Sequence, residues 1–342
     1  MRISRRCLTL SAVELLAGIA FAPNLLARST SRPRAKSNQP VTRYRIAEHR
    51  IPTANSGPYI VTFGPDQQLW FCELQGNNIG RLNPRTYEIA EFALPRPSSQ
   101  PLGIIAGSDG CMWFTELAGD RIGRITLSGV ITEFALPPSC AGPNGIILGM
   151  DGNIWFSASN ADSIGRITPD GQITAFSTGI SAHSRPLSLS SRADGIWFSE
   201  ADGNRIGHIT LQGVVTEYAI PRPNSQPRAT IAHPDGSIWF VETDANALGR
   251  MGPDGQIADF PIASAHCSPR GVCVSASGEL WFTENTANKI GRMSAQGAMI
   301  DELAIPTSSS GARAICASAD GRLFFSQFDS GSIGEVIPIT AA

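Results

Sequence analysis

Charge is scarce in this 342-residue sequence: Asp, Glu, Lys and Arg make up 16% of it, and the formal net charge is −2. No segment is rich enough in Lys and Arg to be a basic domain, which argues against nucleic acid as a partner. Cysteine pairs are missing too. There are seven Cys and none are spaced C-x-x-C, so the pattern of a zinc knuckle is absent. Beyond the first residues no apolar run is long enough to span a bilayer. Hydrophobic residues nevertheless reach 42%, enough for a core.

What is present begins with "MRISRRCLTLSAVELLAGIAFAPNLLARS", a basic start followed by an apolar run. This is the layout of an export signal. The Arg5–Arg6 pair resembles a twin-arginine signal, although Glu14 interrupts the apolar run. Residues 1–27 are therefore expected to be an export signal, residues 28–40 a linker, and the mature protein periplasmic or secreted. Removing the +2 of residues 1–27 from the formal −2 leaves −4. Cys7 would leave with the signal, and Cys72, Cys111, Cys140, Cys267, Cys273 and Cys316 would remain. An oxidising compartment permits disulfides among them.

Aromatics are only 7% of the chain, but their placement is regular. Trp70, Trp113, Trp155, Trp197, Trp239 and Trp281 recur every 42 residues or so, and Phe324 takes the seventh place. That period is the length of a propeller blade. Each unit reads as four short pieces, as in "QPLGIIAGSDG", "CMWFTE", "RIGRITLSG" and "VITEFALP". Gly or Asp-Gly separates them, as tight hairpins require. Four antiparallel strands per unit and seven units predict an all-β, seven-bladed β-propeller over residues 41–342. The last unit lacks its fourth piece, and "YRIAEHRIP" at the front supplies it, so the N-terminal strand should close the ring.

The "WF" pairs are expected to fill the space between blades. Arg81, Arg124, Arg166, Arg250 and Arg292 recur in the third piece, and Glu91, Glu133, Glu217 and Asp259 in the fourth. These are expected to face each other across adjacent strands as structural ion pairs, each stabilising by about 0–1 kcal/mol.

The stretches "GPYIVT", "MWFTELAGDRIGRIT", "GVITEFALP" and "LWFTENTANKIGRM" resemble the virginiamycin B lyases, or streptogramin lyases, over all seven units. That resemblance implies elimination chemistry: a His base removes the proton α to a lactone carbonyl, and magnesium stabilises the developing enolate. It places the base in an "E-P-H-G" context opening the last blade. Two Glu hold the metal, and a second His opening the preceding blade touches substrate. At the matching positions this sequence has Arg313 for the base, Gly311 and Phe328 for the metal-binding Glu residues, and Arg270 for the second His. Arginine stays protonated and cannot act as a base. Glycine and phenylalanine offer magnesium no side-chain oxygen. No catalytic residue is assigned, and no cofactor is expected. A base at a shifted position would have to be His233 or His266.

The residue after the Pro that opens each unit should face the central channel. Around the ring these are Tyr59, Leu102, Asn144, Leu187, Arg228, Arg270 and Arg313, the last after Ala312. At roughly 9 Å and an effective dielectric near 20, neighbouring Arg residues repel by about 1.8 kcal/mol, or about 0.5 in open water. A counter-anion is expected, and carboxylate or phosphate suits the guanidinium fork. Tyr59, Asn144 and the two Leu would complete the pocket. Internal neutralisation by Glu242 and Glu284 is the competing reading. Three functions stay open: an exported, monomeric binding protein for a small anionic or carboxylate-bearing ligand; a carbon–oxygen lyase linearising streptogramin B or related cyclic esters; and a protein-interaction scaffold.

Overall fold

A computed structural model describes residues 43–339. The expected export signal and linker lie outside the described residues. Strands β1 (Arg43–Arg50) to β28 (Ser332–Ile339) form seven four-stranded antiparallel sheets, with a single turn of 3-10 helix at Pro138–Cys140. Among the described residues no helix is long and apolar enough to cross a membrane. Blade 1 comprises β2 (Pro58–Phe63), β3 (Leu69–Glu73), β4 (Asn78–Leu82) and β5 (Ile89–Ala93), paired in sequence order from the channel outward. Blades 2–6 repeat this arrangement. Blade 7 takes three strands from the end of the chain and its fourth from the front: Arg43 pairs with Ile339 and Arg50 with Ser332. The ring closes as the sequence predicts.

The "WF" pairs build the joints. Trp70 of blade 1 shares a core with Phe114 of blade 2, Trp113 with Phe156, Trp155 with Phe198, Trp197 with Phe240, Trp239 with Phe282, and Trp281 with Phe325. Phe324 completes the circle against Phe71. The Gly of each "IG" is set by the same ring. A Cβ at Gly80 would lie 2.0 Å from the Phe71 ring, so the strand behind the aromatic run has to leave that space empty.

The expected Arg–acid pairs across strands three and four do not form. In blade 1 the register puts Arg81 opposite Ala90 and Gly80 opposite Glu91. Successive strand residues point to opposite faces, so an offset of one residue separates the two charges. The arginines instead lie over the Trp rings, Arg81 at 5.2 Å and Arg292 at 5.3 Å from the centroid. They meet acids in the turn before the aromatic strand, as in Arg292–Glu279 at 2.6 Å and Arg250–Asp235 at 3.1 Å. The outer acids accept from the loop entering their own blade: Ser181 N–H and Oγ donate to Glu217, and Ser264 N–H and Oγ to Glu302.

Candidate functional site

The first strand of every blade starts the same way. The residue before it has a left-handed backbone in all seven: Gly57, Gln100, Gly142, Arg185, Gln226, Ser268 and Gly311, with φ from +49° to +69°. Two residues of the inner strand then oppose one of its partner, as Tyr59 and Ile60 do against Cys72, and the same shift recurs in the other six. Such a bulge re-aims the side chain it carries. Here it turns Tyr59, Leu102, Asn144, Leu187, Arg228, Arg270 and Arg313 onto a central cavity of about 330 Å³.

Hydroxyls hold that ring in place. Thr283 Oγ1 accepts from Gly271 N–H at 2.9 Å and donates to the Arg313 carbonyl of the next blade at 2.7 Å. Thr115 links Gly103 to Asn144 in the same way, Ser157 links Gly145 to Leu187, and Ser326 links Ala314 to Tyr59. These channel-wall carbonyls are thereby occupied.

The three arginines expected at the mouth are brought together, and a fourth joins them. Arg185 also lines the cavity, from the left-handed seat before Pro186 instead of the seat after it. Its Nη2 donates to Asp202 at 2.8 Å, and its Nε lies 2.8 Å from the other carboxylate oxygen. Arg228 donates to Gln226 Oε1 at 2.9 Å. The guanidiniums of Arg270 and Arg313 have no hydrogen-bonded or ion-paired acceptor among the described residues, and both Nε atoms are buried. Burial, reinforced by the charges of Arg228 and Arg313, holds Arg270 below the usual guanidinium range. Arg228 is lowered too, by burial first. Arg313 lies 4.5 Å from the centroid of the Phe328 ring and 5.4 Å from that of Tyr59, a cation–π seat.

Glu242 and Glu284 are not part of this site. Both are buried and absent from the cavity wall, and neither pairs with an arginine of the mouth. The alternation of β-strand side chains sends them inside the blade, toward Asp259 and Glu302 respectively. Burial, with these second carboxylates beside them, pushes Glu242 up to about 8 and Glu284 to about 7. Glu73 and Glu200 likewise rise to about 8, beside Glu91 and Glu217. Blade 3 has Ala158 and Ala175 at the two positions, and blade 7 has Gln327 at the inner one. Besides Asp202 on Arg185, the acid whose charge reaches the arginines is the exposed Asp244, which acts on Arg228 and Arg270. Sequence reading missed both Arg185 and Asp244, because it followed the residue after each Pro alone.

None of the five histidines lines the cavity. His233 is buried against Gly278 O and Asp235, and His266 is exposed on the loop entering blade 6.

The virginiamycin B lyase family model matches residues 16–231 and 141–341. The chain belongs to the virginiamycin B lyase family. A streptogramin B lyase structure is 32% identical, with a TM-score of 0.81 over 86% of this chain and 98% of that one. The selenomethionine-substituted virginiamycin B lyase from Staphylococcus aureus is 35% identical, with a TM-score of 0.82 over 87% of this chain and all of the other. A catalytically inactive histidine-to-alanine variant of the Staphylococcus aureus enzyme, crystallised with quinupristin, is 34% identical at the same TM-score and coverage.

The positions that the resemblance assigns to virginiamycin B lyase chemistry fall on Gly311, Phe328, Arg270 and Arg313. Gly311 has φ +68°, and a Cβ there would sit 2.2 Å from the Asp329 carboxylate. Any side chain at this seat would have to displace Asp329. Phe328 supplies the ring beneath the Arg313 guanidinium.

Proposed function

We propose that this virginiamycin B lyase-like propeller is an exported binding protein for a small anionic ligand, and that it does not open lactones. The observation that carries this reading is the Arg270–Arg313 pair: two guanidiniums of adjacent blades, facing one cavity, without an acceptor. Two like charges held close in a partly dry site favour an anion between them. A proton-abstracting residue has no evident seat, since a guanidinium stands where the base belongs and no histidine faces the cavity. Magnesium does not suit these residues either. The two ligand positions present no side-chain oxygen, and a divalent cation there would face the cation of Arg313.

Thermal unfolding with added carboxylates and phosphates tests the reading. The midpoint should rise with anion concentration, by ligand linkage, and the rise should vanish in Arg270→Ala. Purified protein incubated with a type B streptogramin should leave it intact, with or without magnesium. The second reading, a carbon–oxygen lyase, is favoured by the 32% identity to a streptogramin B lyase and the 35% identity to the virginiamycin B lyase from Staphylococcus aureus. Turnover that survives replacement of Arg313 would establish it and end the first.

A further inference from the structure

The mouth of the channel is divided by chemistry as well as by charge. Blades 5–7 present Arg228, Arg270 and Arg313, while blades 2 and 4 present Leu102 and Leu187 at the equivalent places. Both leucines are buried in the wall. Deeper in the same cavity the side chains are mainly aliphatic, including Ile105, Ile147 and Ile231. A fully hydrated anion seated on the arginines would leave this apolar half facing water. An apolar group in the same space would remove that surface from water.

The polar half is also selective. Its unpaired groups are the guanidiniums of Arg270 and Arg313, which only donate, so this half calls for an acceptor-only group. Arg185 is ion-paired with Asp202, and Arg228 donates one hydrogen bond to Gln226, its buried Nε staying without an acceptor among the described residues. Arg270 and Arg313 donate no hydrogen bond at all among the described residues, so the seat centres between blades 6 and 7, with Tyr59 beside it. Across the channel from there lie Leu102 and Leu187, with Asn144 between them, and about 330 Å³ is available.

Building on the anion-binding reading, we infer that the ligand is an oxyanion-headed amphiphile: one carboxylate or phosphate monoester joined to a compact apolar body. The head sits on Arg270 and Arg313, and the body lies against Leu102 and Leu187. Neither a bare inorganic anion nor a sugar-like polyol fills both halves of the site.

Calorimetric titration of the unmodified mature protein with four probes tests this: acetate, inorganic phosphate, 3-phenylpropionate and phenyl phosphate. The phenyl compounds should each bind at least about tenfold more tightly than the head group alone, and the heat-capacity change should be negative, as apolar burial requires. The preference for whichever phenyl compound binds should shrink in Leu187→Asn and in Leu102→Asn, with head-group binding unchanged. Acetate or phosphate binding as tightly as its phenyl counterpart would overturn the amphiphile while leaving the anion site standing. Failure of all four probes to bind would overturn both. A preference that neither leucine variant reduces would overturn the placement of the apolar body.

Discussion

The joints between blades and the mouth of the channel are built from the same seven repeats, yet they vary in opposite ways. At each joint a Trp, or Phe324, meets the Phe of the next blade, and a Gly makes room for that Phe. At the mouth the equivalent residues are a Tyr, two Leu, an Asn and three Arg. The difference follows from what holds each place. A joint is held by side chains, so changing one leaves a void or a clash. A mouth position is held by its backbone: a left-handed residue and a bulge at all seven, joined by a bridging hydroxyl at four, fix it whatever side chain it carries. The fold thus lets the side chains of the channel vary on a fixed backbone.

Substitutions on the two sides should separate sharply. Phe282→Ala, in the joint between blades 5 and 6, should lower the free energy of unfolding by about 3–5 kcal/mol, read by chemical denaturation. A loss under 1 kcal/mol would mean that the joints are not the source of rigidity.

A second, smaller effect comes from the carboxyls buried within the blades. Glu73, Glu200, Glu242 and Glu284 bind their protons more tightly folded than unfolded, with folded values of about 7 to 8 against an ordinary 4.5. Their contribution to stability is complete below about pH 4.5 and is lost as pH rises through 7 to 8. The unfolding midpoint should therefore fall between about pH 4.5 and pH 8. Glu242→Gln should flatten that fall, since an amide keeps its hydrogens at any pH, as Gln327 does in blade 7. An unchanged pH profile in the variant would place the titration elsewhere.

The smallest effect should have the opposite sign. Without ligand, Arg270→Ala relieves repulsion from Arg228 and Arg313. At low ionic strength it should stabilise the protein by about 1 kcal/mol, and the gain should fade as salt is added. Destabilisation instead would mean that the mouth is held by its side chains as the joints are.

Much of this was legible in the sequence, and the failures share a cause. Forty-two-residue spacing of Trp gave the blades, and the missing last strand gave the closure, because both depend only on order along the chain. The arginine arc was legible because Pro marks its position in six blades and Ala312 in the seventh. Whatever depended on which face a side chain takes was not. Arg81 and Glu91 miss each other by one residue of register. Glu242 and Glu284 look like partners of the arginines by proximity in sequence, but alternation turns them inward. Arg185 escaped because a left-handed residue can reach the mouth from the place before Pro, and nothing local in the sequence announces that backbone.

The closing strand has a consequence for how the molecule is made. Among the described residues Arg43–Arg50 is the earliest strand in chain order, and its sheet partner, Ser332–Ile339, is the last. During translation the earlier strand must wait with an open edge until its partner has been made, and only then can the seventh blade be completed. A chain broken off before Ser332 would leave the waiting strand and the unfinished blade as two unsealed rims.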